Sequence, residues 1–299
     1  MATIKKVGFV GTGIMGAPMA RNAAQSGFDV TVYNRTPEKA TPLKEYGISV
    51  AESLAELAKD SDAIITMVSD TPDVLEVIEG PKGIAQHMPA GSTVVDMSTI
   101  SPSVTAELSG RLAAHDISML DAPVSGGSWG AEQGSLAIMV GGQDEVFARC
   151  LPLLESMGQR ITHMGPSGMG QTTKLVNQVL VAGTLSAVAE ALVFAAAHHS
   201  DLEKTIEAVG SGAAGSWQLS NLGPRMIKGD FAPGFMVKLQ QKDLRLVLES
   251  AQTRNLHMAV TSLSKEWLDM AETLGASAEG TQAVIKSVEK LAGLVARQS

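Results

Sequence analysis

Positive charge, cysteine and targeting signals are what this chain has least of. Its 23 lysines and arginines face 31 carboxylates, a net charge of −8. No basic stripe remains to follow a phosphate backbone, so nucleic-acid binding is not expected. A single cysteine, Cys150, excludes an intramolecular disulfide. The six histidines join no Cys/His spacing that zinc would need, so no metal is expected. No apolar leader precedes the first strand pattern, which starts within a few residues of Met1, and a cytoplasmic protein is expected. No internal repeat recurs at a period of about 20–50 residues.

One apolar stretch needs separate treatment. Residues 175–197 approach membrane-spanning length. They carry Asn177, Gln178 and Glu190 and have no flanking belt of Trp or Tyr, so no membrane is expected as a partner. A buried helix covered on all sides explains them better. With 44% hydrophobic residues over 299 positions, the chain can bury a large core and form two domains.

What the chain does have begins at its start. Val7-Gly8-Phe9-Val10 runs into Gly11-Thr12-Gly13-Ile14-Met15-Gly16, a G-x-G-x-x-G between an apolar strand and a helical stretch from Pro18 to Ser26. Gly11 permits a tight turn, Gly13 a close backbone approach to pyrophosphate, and Gly16 close packing of helix on strand. Free N–H groups and the positive end of the helix dipole then suit a phosphate. In this context the six residues read as a dinucleotide fingerprint. The next strand, 29–33, ends where NAD sites usually place a carboxylate on the ribose hydroxyls. Here the residues are Asn34-Arg35-Thr36. A neutral amide, a guanidinium fork and a hydroxyl suit a 2′-phosphate, so NADP (NADPH over NADH) is the expected cofactor, with Lys39 as a possible helper from a following helix.

Up to about residue 163, β-rich runs at 6–10, 29–33, 63–68, 93–96, 118–122, 136–141 and 160–163 alternate with helical stretches at 53–59, 72–78, 102–115 and 144–157. This predicts an α/β fold, a Rossmann-type doubly wound and mostly parallel sheet. After Gly165-Pro166-Ser167-Gly168 the pattern is helical at 170–197, 201–209, 216–223, 237–254, 259–273 and 281–294. The expected domains are 1–164, binding NADP, and an all-helical 165–299 for substrate and oligomerisation, joined by a helix over about 168–197. Ligands bind beyond the carboxyl ends of parallel strands. Met67, Val68, Ser69, Ser98 and Thr99 are therefore expected beside the cofactor, and the Ser125-Gly126-Gly127 loop falls at the same edge.

Four blocks could carry chemistry. In Asp121-Ala122-Pro123-Val124-Ser125-Gly126-Gly127, the paired glycines expose N–H groups and Ser125 adds a hydroxyl, enough to hold a carboxylate; the plain alternative is a tight turn. In 165–177, Lys174 and Asn177 stand i, i+3 on one helix face. A lysine on an apolar helix is costly to bury, and burial lowers its pKa toward the range useful for proton transfer; a solvated lysine is the alternative. In Gln240-Gln241-Lys242-Asp243-Leu244, the adjacent Lys242 and Asp243 face different ways and read as a surface pair. In 216–221, Trp217 either walls a site or sits in the core.

Taken together, these motifs resemble the β-hydroxyacid dehydrogenase family, which includes 3-hydroxyisobutyrate dehydrogenase, tartronate semialdehyde reductase and related small-semialdehyde reductases. The matching segments are Gly11–Gly16 with Pro18-Met19-Ala20-x-Asn22, 121–127, 165–177 and Lys242-Asp243-Leu244, in family order over the whole chain. The resemblance implies Lys174 as catalytic acid/base. It implies Ser125, Gly126, Gly127, Asn177, Trp217 and Lys242 around a small carboxylate substrate, with Lys242 also near the nicotinamide, and Ser98-Thr99 beside the ring. It further implies a homodimer or homotetramer built by the helical domain. The apolar coverage of the long helix, 174–197, is wider than one core face needs, so it is expected to be buried between the domains and partly against another subunit. Residues 210–221 do not match the hydroxyisobutyrate enzymes closely and leave the substrate open. NADP-linked reduction of a semialdehyde such as tartronate or succinic semialdehyde is the first expectation. Oxidation of a hydroxyisobutyrate- or serine-like acid is the second. A non-catalytic NADP sensor or the imine-reducing branch would not need Lys174.

Overall fold

A computed structural model describes residues 3–297. Nine strands form one sheet: β1 (Lys6–Val10), β2 (Asp29–Tyr33), β3 (Ser49–Val50), β4 (Ala63–Thr66), β5 (Thr93–Asp96), β6 (Ser118–Asp121), β7 (Val124–Ser125), β8 (Leu136–Gly141) and β9 (Gly158–Gly165). Their order is β3-β2-β1-β4-β5-β6-β8-β7, with β9 also on β8. The run from β3 to β6 is parallel, whereas β8 is antiparallel to β6 and β7. The chain winds outward from β1 to β3, then returns to the other side of β1 as β4. The strand order reverses there, at the carboxyl ends of β1 and β4, and the glycine turn lies at that point.

The strands are apolar on both faces because helices cover both. Val7 and Phe9, Ile65, Val95 and Leu120 pack with Met19, Ala20 and Ala23 of α1 (Gly16–Gln25) and with Val146, Leu153 and Leu154 of α6 (Asp144–Glu155). Their neighbours Val10, Ile64, Val94 and Met119 point the other way. They meet Leu57 of α2 (Leu54–Lys59), Val74 and Ile78 of α3 (Thr71–Glu79) and Leu108 and Leu112 of α4 (Pro102–Ala113). The period of two along each strand thus sorts one apolar run into two cores. Each fully buried Phe, Leu or Ile contributes roughly 1.5–3 kcal/mol.

The short α5 (Gly127–Glu132) follows β7, and α7 (Met169–Ala197) closes the α/β part. Two compact units result, dividing after Lys174. The second unit is helical: the rest of α7, then α8 (Leu202–Gly210), α9 (Gly223–Lys228), α10 (Val237–Gln252), α11 (Ala259–Thr273) and α12 (Ile285–Ala292). Leu185, Leu192, Met226, Leu244, Leu268 and Ile285 meet in its core.

The structure departs from the sequence-based expectations in a few places. The two-residue strands β3 and β7 are too short to show a period, and α5 is hidden by its glycines. Residues 37–46 are 3-10 turns, so Lys39 is not on an α-helix. A π-turn at Gln218–Leu222 and a 3-10 turn at Thr281–Val284 precede α9 and α12. The long helix is not covered on all sides: Val176, Leu180 and Phe194 are exposed in the single chain, because the helical unit packs on only part of α7. By length and composition α7 could cross a bilayer, but 44% of its most apolar window is buried in protein.

Candidate functional site

At the glycine turn each glycine meets a different constraint. A Cβ on Gly16 would lie 1.9 Å from the Gly11 carbonyl oxygen, and one on Gly11, whose φ is +97°, would lie 2.3 Å from the Met67 oxygen. Packing therefore requires both. A Cβ on Gly13 would meet nothing within 4 Å. The space in front of Gly13 is a cradle that a phosphate can enter, and the first turn of α1 has no side-chain cap and no acidic residue to fill it. Ile14 beside it is exposed. The residues present thus fit a dinucleotide pyrophosphate.

Asn34 ties this turn to the end of β2. Its Oδ1 accepts the Thr12 N–H at 2.9 Å, and its Nδ2 donates to the Thr36 carbonyl at 2.9 Å. A carboxylate could do the first but not the second, since it has no donor. Arg35 next to it is 90% exposed and has one loose partner, Asp73, at 3.8 Å. Such a surface ion pair contributes little and leaves the guanidinium available to a ligand phosphate.

Further along the same edge, the loops after β4 and β5 hold each other. Asp96 accepts from the Thr66 hydroxyl at 2.7 Å and the Ser98 N–H at 3.2 Å. The Ser98 hydroxyl accepts the Val68 N–H at 3.0 Å. Met67 and Val68 are half-buried and Ser69 is exposed, while Ser98 is buried and Thr99 half-buried.

The start of α7 is where the α/β unit gathers its chemistry. The fully buried Asp121 carboxylate, at the end of β6, accepts the N–H groups of Gly168 and Gln171, both at 2.8 Å. It caps the helix from a distant strand. Burial pushes its carboxyl up to about 6, and the two backbone donors pull it back only in part. Gln171, also fully buried, accepts the Ile100 N–H at 3.1 Å and donates to the Ser98 carbonyl at 2.8 Å. One turn on, the buried Lys174 donates from Nζ to the Val124 carbonyl at 2.7 Å. The next residues are Ser125, Gly126 and Gly127, whose turn needs the positive φ of +137° and +62° at the two glycines. Asn22 of the sequence motif supports this loop from below, donating to the Ala131 carbonyl of α5 at 2.8 Å. A primary amine is thereby held at the carbonyl that immediately precedes Ser125 and the Gly126-Gly127 turn.

Within the helical unit, Asn177 and Lys242 lie at two ends of one buried polar chain. Asn177 donates to Gln178 Oε1 at 2.7 Å, and Gln178 donates to Asp243 at 2.5 Å and more weakly to Gln240 at 3.5 Å. Lys242 Nζ lies 2.7 Å from Asp243 Oδ1, with side chains 13% and 2% exposed. The surface pair expected from their adjacency is therefore wrong. Lys242 folds back over the next residue because Asp243, buried beside Gln178, offers it a carboxylate. Trp217 is 63% exposed and is not a core residue.

Two family models divide the chain between them. The NAD-binding domain of 6-phosphogluconate dehydrogenase matches residues 6–165, and the NAD-binding domain of NADP-dependent 3-hydroxyisobutyrate dehydrogenase matches residues 168–288. The 2-hydroxy-3-oxopropionate reductase of Escherichia coli is 41% identical over 287 residues, 96% of this chain and 98% of that one. The chain belongs to the β-hydroxyacid dehydrogenase family. It is an oxidoreductase with a nicotinamide dinucleotide cofactor, built as that family is from an α/β nucleotide-binding part and a helical part. Among solved structures, the 3-hydroxyisobutyrate dehydrogenase of Salmonella typhimurium has a TM-score of 0.86 at 31% identity, covering 94% of this chain and 99% of its own. The Mycobacterium tuberculosis 3-hydroxyisobutyrate dehydrogenase with L-serine has 0.87 at 28%, covering 96% and 99%.

The structure gives Asp121, Gln171 and Gln178 as hydrogen-bond partners around the residues that the sequence singled out. Asp121 and Gln171 clamp the helix that carries Lys174, and Gln178 joins Asn177 to Asp243. Gln171 had a signal in the sequence: it is polar and stands three residues before Lys174, on the same helix face. The Asp121 cap had none, since 47 residues separate it from Gly168.

Proposed function

We propose that this protein reduces a small semialdehyde acid with NADPH, Lys174 acting as general acid. The observation that carries the reading is the Lys174–Val124 hydrogen bond of 2.7 Å, which holds an ammonium group beside the Ser125-Gly126-Gly127 loop. In that loop the serine hydroxyl and the glycine N–H groups bind the substrate carboxylate and fix the carbonyl in front of Lys174. Bound reduced nicotinamide supplies the hydride. Lys174 Nζ gives a proton to the substrate oxygen as the C–O double bond is lost, and takes it back in the oxidising direction. Asn177, one turn further along α7, orients the same oxygen. Lys242, held by Asp243, adds a second positive charge toward the substrate. Gly11, Gly13 and Gly16 receive the pyrophosphate, and Arg35 and Thr36 bind the 2′-phosphate. The E. coli relative's name supports tartronate semialdehyde as a model substrate.

A second reading, oxidation of a β-hydroxyacid, draws on the M. tuberculosis structure with L-serine, which carries a carboxylate and a β-hydroxyl. Steady-state rates on a panel of semialdehydes with NADPH or NADH, and of matching hydroxyacids with NADP or NAD, separate the two. Higher kcat/KM for hydroxyacid oxidation would replace the first reading by the second, and equal use of NADPH and NADH would remove Arg35 from the cofactor assignment.

We also propose a homodimer or homotetramer formed through the helical unit. Val176, Leu180 and Phe194 leave one side of α7 apolar and exposed. Sedimentation at micromolar protein tests this, and a monomer would contradict it.

A further inference from the structure

We propose that Gln171 is a positioning residue that couples the cofactor loop to the proton donor, an inference that rests on the functional reading of Lys174 given above. One side-chain amide engages the backbone on both sides of Thr99, accepting from Ile100 N–H at 3.1 Å and donating to Ser98 C=O at 2.8 Å. It does to this loop what a neighbouring strand would do, and it fixes the loop's conformation. Ser98 is tied in turn to Val68 N–H and to Asp96, and Asp96 to Thr66. A continuous buried network therefore runs from the carboxyl ends of β4 and β5 into the first turn of α7.

Lys174 stands three residues after Gln171 on the same helix face. The reach of its Nζ to Val124 depends on where that first turn is held. Asp121 holds the turn through its backbone N–H groups. Gln171 is different: its side chain links the turn to the loop expected beside the nicotinamide. A shift of Ser98–Ile100 on cofactor binding pulls on α7 and, through it, on Lys174. Paired perturbation of Gln171 and Lys174 tests this coupling.

The test uses two variants of the full chain. Gln171→Leu keeps bulk and removes both hydrogen bonds. Gln171→Glu keeps both only as a neutral acid, and burial favours that neutral form as pH falls. Thermal melting confirms that each is folded. With NADPH and a semialdehyde substrate, Gln171→Leu should lower kcat up to about a hundredfold, the scale of a reacting group misplaced by an ångström. KM and NADPH affinity should stay within about threefold. Gln171→Glu should regain kcat relative to the wild type as pH is lowered, compared at each pH because Asp121 beneath the same turn titrates in both proteins. Adding Gln171→Leu to Lys174→Ala should slow turnover no further. Effects that multiply in the double variant, or a Gln171→Leu kcat within about twofold of wild type, would overturn the proposal.

Amide hydrogen exchange with NADPH provides a readout independent of turnover. Protection on NADPH binding should extend from residues 98–100 to 168–174 in the wild type and stop at the loop in Gln171→Leu. Equal protection in both proteins overturns the coupling. Full turnover by Lys174→Ala with the coupling intact overturns the functional reading of Lys174 alone. Absence of NADPH binding to the wild type overturns both.

Discussion

Among the helices of the α/β unit that begin at the sheet's ligand-binding region, α1 and α7 have first turns that are treated in opposite ways. At α1 nothing caps the turn, and Gly13 faces open space. At α7 the protein supplies its own anion: the Asp121 carboxylate accepts the Gly168 and Gln171 N–H groups. The same physics, unsatisfied amides and a positive dipole end, is left for a ligand in one place and consumed by the fold in the other. The difference teaches which turn binds and which one holds still. An open first turn can take a pyrophosphate, whereas an occupied one makes a rigid base from which Lys174 reaches Val124.

The largest effect should come from the occupied turn. Lys174→Ala is expected to lower kcat by about 10²–10⁴-fold, the usual contribution of general acid–base catalysis, and to leave NADPH binding nearly intact. Lys174→Arg should restore little, because a guanidinium does not release its proton near neutral pH. If the alanine variant keeps more than about a tenth of wild-type kcat, Lys174 is structural and Lys242 becomes the next proton donor to examine.

Half-emptying the same turn with Asp121→Asn should show in stability. Burial holds the folded Asp121 pKa near 6, above the ordinary 3.8. A raised folded pKa means that the folded state binds the proton more tightly than the unfolded chain. The stabilisation from that proton is complete below about pH 4 and is lost as pH rises through about 6. Asparagine does not titrate, so the deficit of the variant should shrink between pH 4 and 7, by on the order of 3 kcal/mol. Chemical denaturation at the two pH values measures it, and a deficit that does not change with pH would show that Asp121 titrates as an ordinary carboxylate.

At the open turn, Arg35→Ala should cost about 1.5–3 kcal/mol of NADPH binding and leave NADH unaffected, as expected for one charge-assisted contact. Calorimetry with both dinucleotides decides it; similar losses for both would place Arg35 away from the 2′-phosphate.

The smallest effect should be Gly13→Ala. The added methyl enters empty space, so folding stability should change by no more than about 0.5 kcal/mol. Both dinucleotides should nevertheless bind about tenfold more weakly, a shift of about 1.4 kcal/mol. Gly16→Ala provides the contrast: its methyl would meet the Gly11 carbonyl at 1.9 Å, and loss of the fold should precede loss of binding. Unchanged affinity in Gly13→Ala would mean that the pyrophosphate does not lie against this turn.

Much of this molecule could be read from local pattern. The strands β1, β2 and β5 fall at the residues their β-rich runs predict, β1 as an apolar run covered on both faces and β2 as an alternation that buries Val30 and Val32. The glycine turn and the Asn34-Arg35-Thr36 end of β2 were legible as short patterns between a strand and the next element, whereas the Met67 carbonyl that crowds Gly11 and the Asn34–Thr12 bond were not. What remained hidden was every relation that depends on two distant segments. Asp121 looked like part of a loop motif until β6 placed it under α7. Lys242 and Asp243 looked like a surface pair until Gln178 drew Asp243 inward. Gln171 became meaningful only when Ser98 and Ile100, about 70 residues earlier, were brought to its amide. Periodicity and turn chemistry are properties of neighbours along the chain, and they determined the fold class and the candidate chemistry. Which polar group satisfies which other one is a property of buried neighbours in space, where an unpaired donor costs about 1–3 kcal/mol, and the tertiary structure alone decided it.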